Sequence, residues 1–142
     1  LMLHTEFITA IQYNKKINVL LFDNSGYGCI NNLQMDSGNG SFNCEFRTDD
    51  NQIMNIDYAK VAEGYGAKAY RPNTVEELRA ALEDAKNQER STLIEMKVLP
   101  KTMTDGYDGS WWNLGFPEVS NQEGVQKTFE LKQQKLKNAK QY

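Results

Sequence analysis

Apolar and polar positions along the chain switch between a helical spacing and unbroken apolar runs, and the switches lay out a repeating order of elements. Residues 4–16, HTEFITAIQYNKK, place Phe7, Ile8 and Ile11 on one face of a helix, with Lys15 and Lys16 suited to the negative end of its dipole. A strand over residues 17–22 follows at once, carrying the apolar run 19–22, the habit of an interior strand of a parallel sheet. CINNLQ has the look of a short helix, and MDSGNGSFNCEFRTDDNQ that of a long polar loop, ordered only around a ligand. Asp57 caps a helix that turns Ala59, Ala62 and Tyr65 inward and stops at Gly66. A short strand over residues 68–70 leads to a second capped helix, where Thr74 and Glu77 form a capping box and Leu78, Ala81, Leu82 and Ala85 trace its apolar stripe. Residues 92–99, TLIEMKVL, complete the alternation. The tail 101–120 is rich in glycine and aromatics. A terminal helix follows, with Ser120 and Glu123 as its capping box, Val125, Phe129 and Leu136 as a thin apolar face, and the lysines from Lys127 onward in solvent.

Helix, strand, helix, strand, helix, strand predicts the α/β class: a three-layer α/β/α sandwich with a mainly parallel sheet and right-handed crossovers. Ligands in such sheets bind beyond the carboxyl ends of the strands. There the first strand breaks off at Asp23-Asn24-Ser25-Gly26-Tyr27-Gly28. The local pattern fits an ordinary turn, and the location fits a ligand site.

Composition narrows the chemistry. The chain has 142 residues, one domain's worth, with 39% hydrophobic and 25% charged residues. A net charge of -3 argues against a nucleic-acid surface, and no run approaches the ~20 apolar residues of a membrane span. Cys29 and Cys44 stand without ligands at metal spacing, and His4 is the only histidine, so zinc and a histidine-based triad are poor readings. Two free, reduced thiols suit a cytoplasmic protein, and one disulfide between them is the alternative.

LMLHTEF followed by INVLLFDNSGYG resembles the second half of the signature of thiamine-diphosphate-dependent enzymes, and IDYAKVAEGYGAKAYRPNTVEELRAALEDA with TLIEMKV resembles the rest of their C-terminal diphosphate-binding domain. The tail DGSWWNLGFPEVS narrows the likeness to the branch that hydrolytically opens cyclic diones in inositol degradation. The resemblance implies a thiamine-diphosphate-binding fold, incomplete at its N-terminus because Gly-Asp-Gly is expected just before Leu1. Residues 1–100 would be the cofactor and Mg2+ domain, and 101–142 an extension on it. It implies Asn24 (side-chain oxygen) and Gly26 (main-chain carbonyl) as metal ligands. It also implies Met2, Leu3, His4, Asn24, Ser25, Gly26, Tyr27 and Gly28 around thiamine diphosphate, with Asp23 in support. An amide ligates without adding charge beside a diphosphate, and octahedral oxygen coordination suits Mg2+.

Asn31, Asn32 and Gln34 would lie near the reactive ring of the cofactor or simply on a polar helix surface. Trp111 and Trp112 would pin the tail rather than cover the site. The activating glutamate is expected in another, pyrimidine-binding domain of the same or a partner subunit. The partners implied are therefore that domain, a small cyclic dione and further copies in a homo-oligomer, with no nucleic acid and no membrane. Two other readings stay open: a carboligase or decarboxylase similar to acetolactate synthase, and a non-catalytic α/β binding module.

Overall fold

The computed structural model describes residues 4–100 and 119–138. In chain order these form α1 (Glu6–Gln12), β1 (Asn18–Asp23), α2 (Gly28–Asp36), α3 (Tyr58–Gly64), β2 (Lys68–Tyr70), α4 (Val75–Asn87), β3 (Thr92–Lys97) and α5 (Glu123–Lys137). They fall into two compact units, residues 1–23 with 55–98 and residues 24–54 with 99–142.

The first unit is built on a parallel sheet in the order β1-β3-β2. Its register runs from Asn18 opposite Thr92 to Asp23 opposite Lys97, and from Lys68 opposite Thr92 to Tyr70 opposite Ile94. Successive residues of a strand face opposite ways, so β3 feeds two cores. Leu93 packs with Phe7, Ala59, Ala62 and Ala67 under α1 and α3, and Ile94 packs with Ala81 and Ala85 of α4. Helices on both faces of a parallel sheet make the three-layer α/β sandwich that the pattern predicts. The alanines let α3 and α4 lie close against the strands, and burying them adds no side-chain entropy cost.

Local chemistry explains where elements begin. The Asp57 carboxylate accepts from Lys60 N–H at 2.8 Å, and Thr74 Oγ1 from Glu77 N–H at 3.1 Å. The Glu77 carboxylate reaches back to Asn73 N–H at 2.7 Å, one residue beyond the strict box. Arg71 forks between Asp57 and Glu63, 3.0 Å from each, and ties the end of β2 to both ends of α3.

Several expectations need correction. Helix α1 covers only Glu6–Gln12 and buries Phe7 and Ala10, leaving Ile8 and Ile11 about half exposed. Lys16 does not serve α1; its Nζ donates to the Lys86 carbonyl at 2.8 Å, in the last turn of α4. Strand β1 is an edge among the described strands, with Leu20 and Phe22 exposed where α4 does not reach. Leu82 is 45% exposed, so the α4 stripe is Ala81 and Ala85 flanked by Leu78.

In the second unit, α5 starts from Gln122, and Ser120 Oγ accepts from Gln122 N–H at 3.2 Å instead of capping the helix. Val125 is buried as expected, yet Leu136 is exposed and Lys132 is buried. The segment after α2 is no featureless loop. It carries antiparallel bridges between Gly26 and Glu45 and between Arg47 and Ile53.

Candidate functional site

The carboxyl end of β1 is held by a charged clamp within the first unit. Lys97 Nζ lies 2.6 Å from Asp23 Oδ2 and 2.7 Å from Glu95 Oε1, and donates to the Ile56 carbonyl at 2.6 Å. Glu95 Oε2 accepts from Ala59 N–H at 2.7 Å, in the first turn of α3. The carboxylates are 6% and 3% exposed and the lysine 48%, so two buried negative charges share one ammonium that opens to water. Burial works against the Lys97 charge, but the hydrogen bonds to Asp23 and then Glu95, with their Coulomb attraction, outweigh it and hold the ammonium above the usual lysine range. Val98 N–H donates to the Asp23 carbonyl at 3.0 Å and continues the β1–β3 pairing to the last residue of the strand. Asp23 is thus structural, and it fixes where the chain leaves the sheet.

The loop that follows belongs to the second unit. Asn24 is half-buried and Ser25 adopts a left-handed φ of 57°, a conformation that a side chain resists. Tyr27 N–H donates to the Cys44 carbonyl at 2.7 Å, and Phe46 N–H to the Ser25 carbonyl at 2.8 Å. These bonds engage the residues flanking Gly26, so its own carbonyl is not part of the bridge. A Cβ at position 26 would stand 2.3 Å from the Cys44 carbonyl oxygen, which only glycine avoids. The Tyr27 ring meets Phe46 edge-on at 5.2 Å, and Gly28 opens α2 and is buried. Asn24 and Gly26 therefore offer one amide oxygen and one carbonyl without a hydrogen-bond partner among the described residues, two residues apart. That is a neutral, all-oxygen donor pair, fitting a hard cation whose other ligands are anionic oxygens. Among the described residues no group of three or more His, Cys, Asp or Glu could hold a metal ion, so a site made of protein carboxylates alone is not present there.

The other expected site residues are dispersed. Met2, Leu3, Trp111 and Trp112 lie outside the described residues. His4 Nδ1 is 2.9 Å from the Tyr65 hydroxyl, with the rings stacked at 5.9 Å, so its ring already has a partner in the first unit. Gln34 is engaged with residues 42–44, while Asn31 and Asn32 are buried. Sequence reasoning missed the Glu95–Lys97 clamp, although a charged pair two apart in an otherwise apolar strand was a visible signal.

Residues 1–96 match the family model described as thiamine pyrophosphate enzyme, C-terminal TPP binding domain. The chain belongs to this family. Over all 142 residues it is 80% identical to the 3D-(3,5/4)-trihydroxycyclohexane-1,2-dione hydrolase of Bacillus subtilis and 78% identical to that of Halalkalibacterium halodurans. In both cases the chain spans 22% of the relative's length. Among solved structures, it is similar to the thiamine diphosphate-dependent 4-hydroxybenzoylformate decarboxylase of Rhodococcus jostii RHA1. The TM-score is 0.54 at 24% identity, over 68% of this chain and 17% of that one, a likeness of fold.

Proposed function

We propose that this chain anchors thiamine diphosphate and Mg2+ within a longer enzyme that opens the ring of a trihydroxycyclohexane-1,2-dione by C–C cleavage with addition of water, in inositol catabolism. What carries the reading is Gly26: a residue that must be glycine, whose carbonyl is left out of its own bridge, two residues beyond a half-buried amide. The names of the relatives, at 80% and 78% identity, support the substrate class.

In this reading Asn24 Oδ1 and the Gly26 carbonyl would hold Mg2+, which would offer its charge to the diphosphate of the cofactor. Ser25, Tyr27 and Gly28 wall the loop. The cofactor, when bound, supplies a nucleophilic thiazolium carbon toward a substrate carbonyl, and the hard chemistry is its own. The chain contributes position: Lys97 and Asp23 fix the end of β1, and the bridge to Cys44 and Phe46 fixes the turn that follows. The groups that activate the cofactor belong to a pyrimidine-binding domain of the same or a partner subunit in a cytoplasmic homo-oligomer. Residues 1–100 form the cofactor portion and 101–142 the extension.

The test is made with a protein carrying this chain at the full length of its relatives. It should bind thiamine diphosphate only with Mg2+ and turn over the cyclic dione but not pyruvate. Turnover of pyruvate alone would reassign it to the carboligases, and failure to bind the cofactor would sink the reading.

A further inference from the structure

Glycine weakens a helix, yet Gly124 stands in the first turn of α5. The reason lies at the far end of α2. A Cβ at position 124 would stand 2.6 Å from the Gly38 carbonyl oxygen. A Cβ at position 38 would run into the Gly124 carbonyl and stand 2.6 Å from Thr128 Oγ1. Two main chains therefore meet with no side chain between them. Gly38 has a φ of 79°, and its N–H donates to the Met35 carbonyl at 2.9 Å, closing the C-terminal end of α2. On the other side, Thr128 Oγ1 donates to the Gly124 carbonyl at 2.8 Å, and Val125 is 1% exposed. Helix α5 is seated by its first turn on the end of α2.

The other end of α2 is the proposed metal turn. Asn31 N–H donates to the Tyr27 carbonyl at 2.9 Å, so the turn runs directly into the first turn of the helix. Halfway along, Gln34 Nε2 donates to the Phe42 carbonyl at 3.2 Å, and its Oε1 accepts from Phe42 N–H at 2.9 Å and from the Cys44 thiol at 3.4 Å. The Cys44 carbonyl in turn accepts from Tyr27 N–H and lies against Gly26. Turn, helix and return segment form one braced body, and α2 spans about 13 Å of it. A shift of α2 at Gly38 is carried to Asn24 and Gly26.

We infer that α5 positions the cofactor turn and that Gly124 is its positioning residue: the Gly38–Gly124 contact fixes α2, and α2 fixes the oxygens of Asn24 and Gly26. Helix α5 lies beyond residues 1–96, the part that matches the family model, so a role in cofactor binding extends outside that part. This rests on the place proposed above for Mg2+. Sites joined in this way are coupled reciprocally, so a ligand that steadies the turn also steadies α5.

The experiment uses the enzyme at the full length of the relatives. Gly124→Ala favours the helix itself and opposes its seat on Gly38. Gly64→Ala, where a Cβ meets nothing within 4 Å, is the control. Gly124→Ala should raise the Kd for thiamine diphosphate at fixed Mg2+ about tenfold and leave kcat at saturating cofactor unchanged. Gly64→Ala should change neither. In the wild type, cofactor with Mg2+ should slow amide hydrogen exchange across residues 123–137, a measurement that needs no variant, and Gly124→Ala should erase the slowing. Wild-type enzyme that binds cofactor without slower exchange there would overturn the inference. So would an unchanged Kd in Gly124→Ala, whatever its Tm, since α5 would then be structural only. A raised KM for the dione at saturating cofactor would move the effect to the substrate and overturn it too. Wild-type enzyme that binds no cofactor would overturn the functional reading itself, and this inference with it.

Discussion

Asn24 and Gly26 stand in one turn, and substitutions there should separate binding from folding. Asn24 is half-buried in a turn rather than in a core, so Asn24→Ala should leave Tm nearly unchanged. In the full-length enzyme it should weaken thiamine diphosphate at fixed Mg2+ by about tenfold or more, on the scale seen when groups around a metal are lost. A cofactor titration checks this, and unchanged affinity would remove the metal assignment. Gly26→Ala should behave otherwise. The new methyl would meet the Cys44 carbonyl at 2.3 Å, forcing the bridge apart and costing about 1–3 kcal/mol, on the scale of overpacking. Thermal melting should show the loss without cofactor. The order of polar residue and glycine was visible in the sequence, but its local pattern fits an ordinary turn as well, and only its place beyond a strand's carboxyl end pointed to a ligand. The partner was not visible: Cys44 is distant in sequence, and nothing local announces that it approaches Gly26.

At the scale of elements, one ammonium joins the ends of two strands to the approach to α3. Lys97→Met would take from the buried Asp23 and Glu95 carboxylates the ammonium they share, a change that costs about 3–5 kcal/mol for a fully buried pair. Because Lys97 is 48% exposed, the loss should be smaller, about 2 kcal/mol, readable by urea titration. Its folded pKa is raised, so its contribution is complete below the ordinary lysine value of about 10.4 and fades as pH climbs through the raised one. Melting curves across the alkaline range should fall more steeply for the wild type than for Lys97→Met. Elements announced by side-chain capping, α3 and α4, were read well. At the outer ends of the sequence, α1 and α5 were misread in the residues they bury. Hydrophobicity alone placed Ile8, Ile11 and Leu136 inward, but their neighbours Phe7, Ala10 and Val125 take the contacts that the fold offers.

For the whole molecule, the parallel α/β layering was legible because the alternation of periods leaves few topologies. The antiparallel bridges of 26–54 were not, since their bonds run through main chain in a polar stretch. Turnover by the 142-residue polypeptide alone is expected to be absent. Its proposed metal donors are both neutral, and acid–base assistance from elsewhere is worth about 10²–10⁴-fold. An assay of the purified polypeptide with cofactor and cyclic dione checks it. The strand order carries a further consequence, in time. β1 hydrogen-bonds to β3, not to β2, and Asn18 meets Thr92 across 74 residues of sequence. At about 5–20 residues per second, a ribosome needs about 4–15 s to deliver the partner. Through that interval Val19, Leu20, Leu21 and Phe22 wait for their partner among the described strands, while β2 and α4 emerge before it. Polar Asn18 and charged Asp23 flank the run, the placement by which sequences discourage premature strand pairing. Ribosome-bound chains should stay open to protease at residues 18–23 until residue 97 has left the exit tunnel, and become resistant once it has.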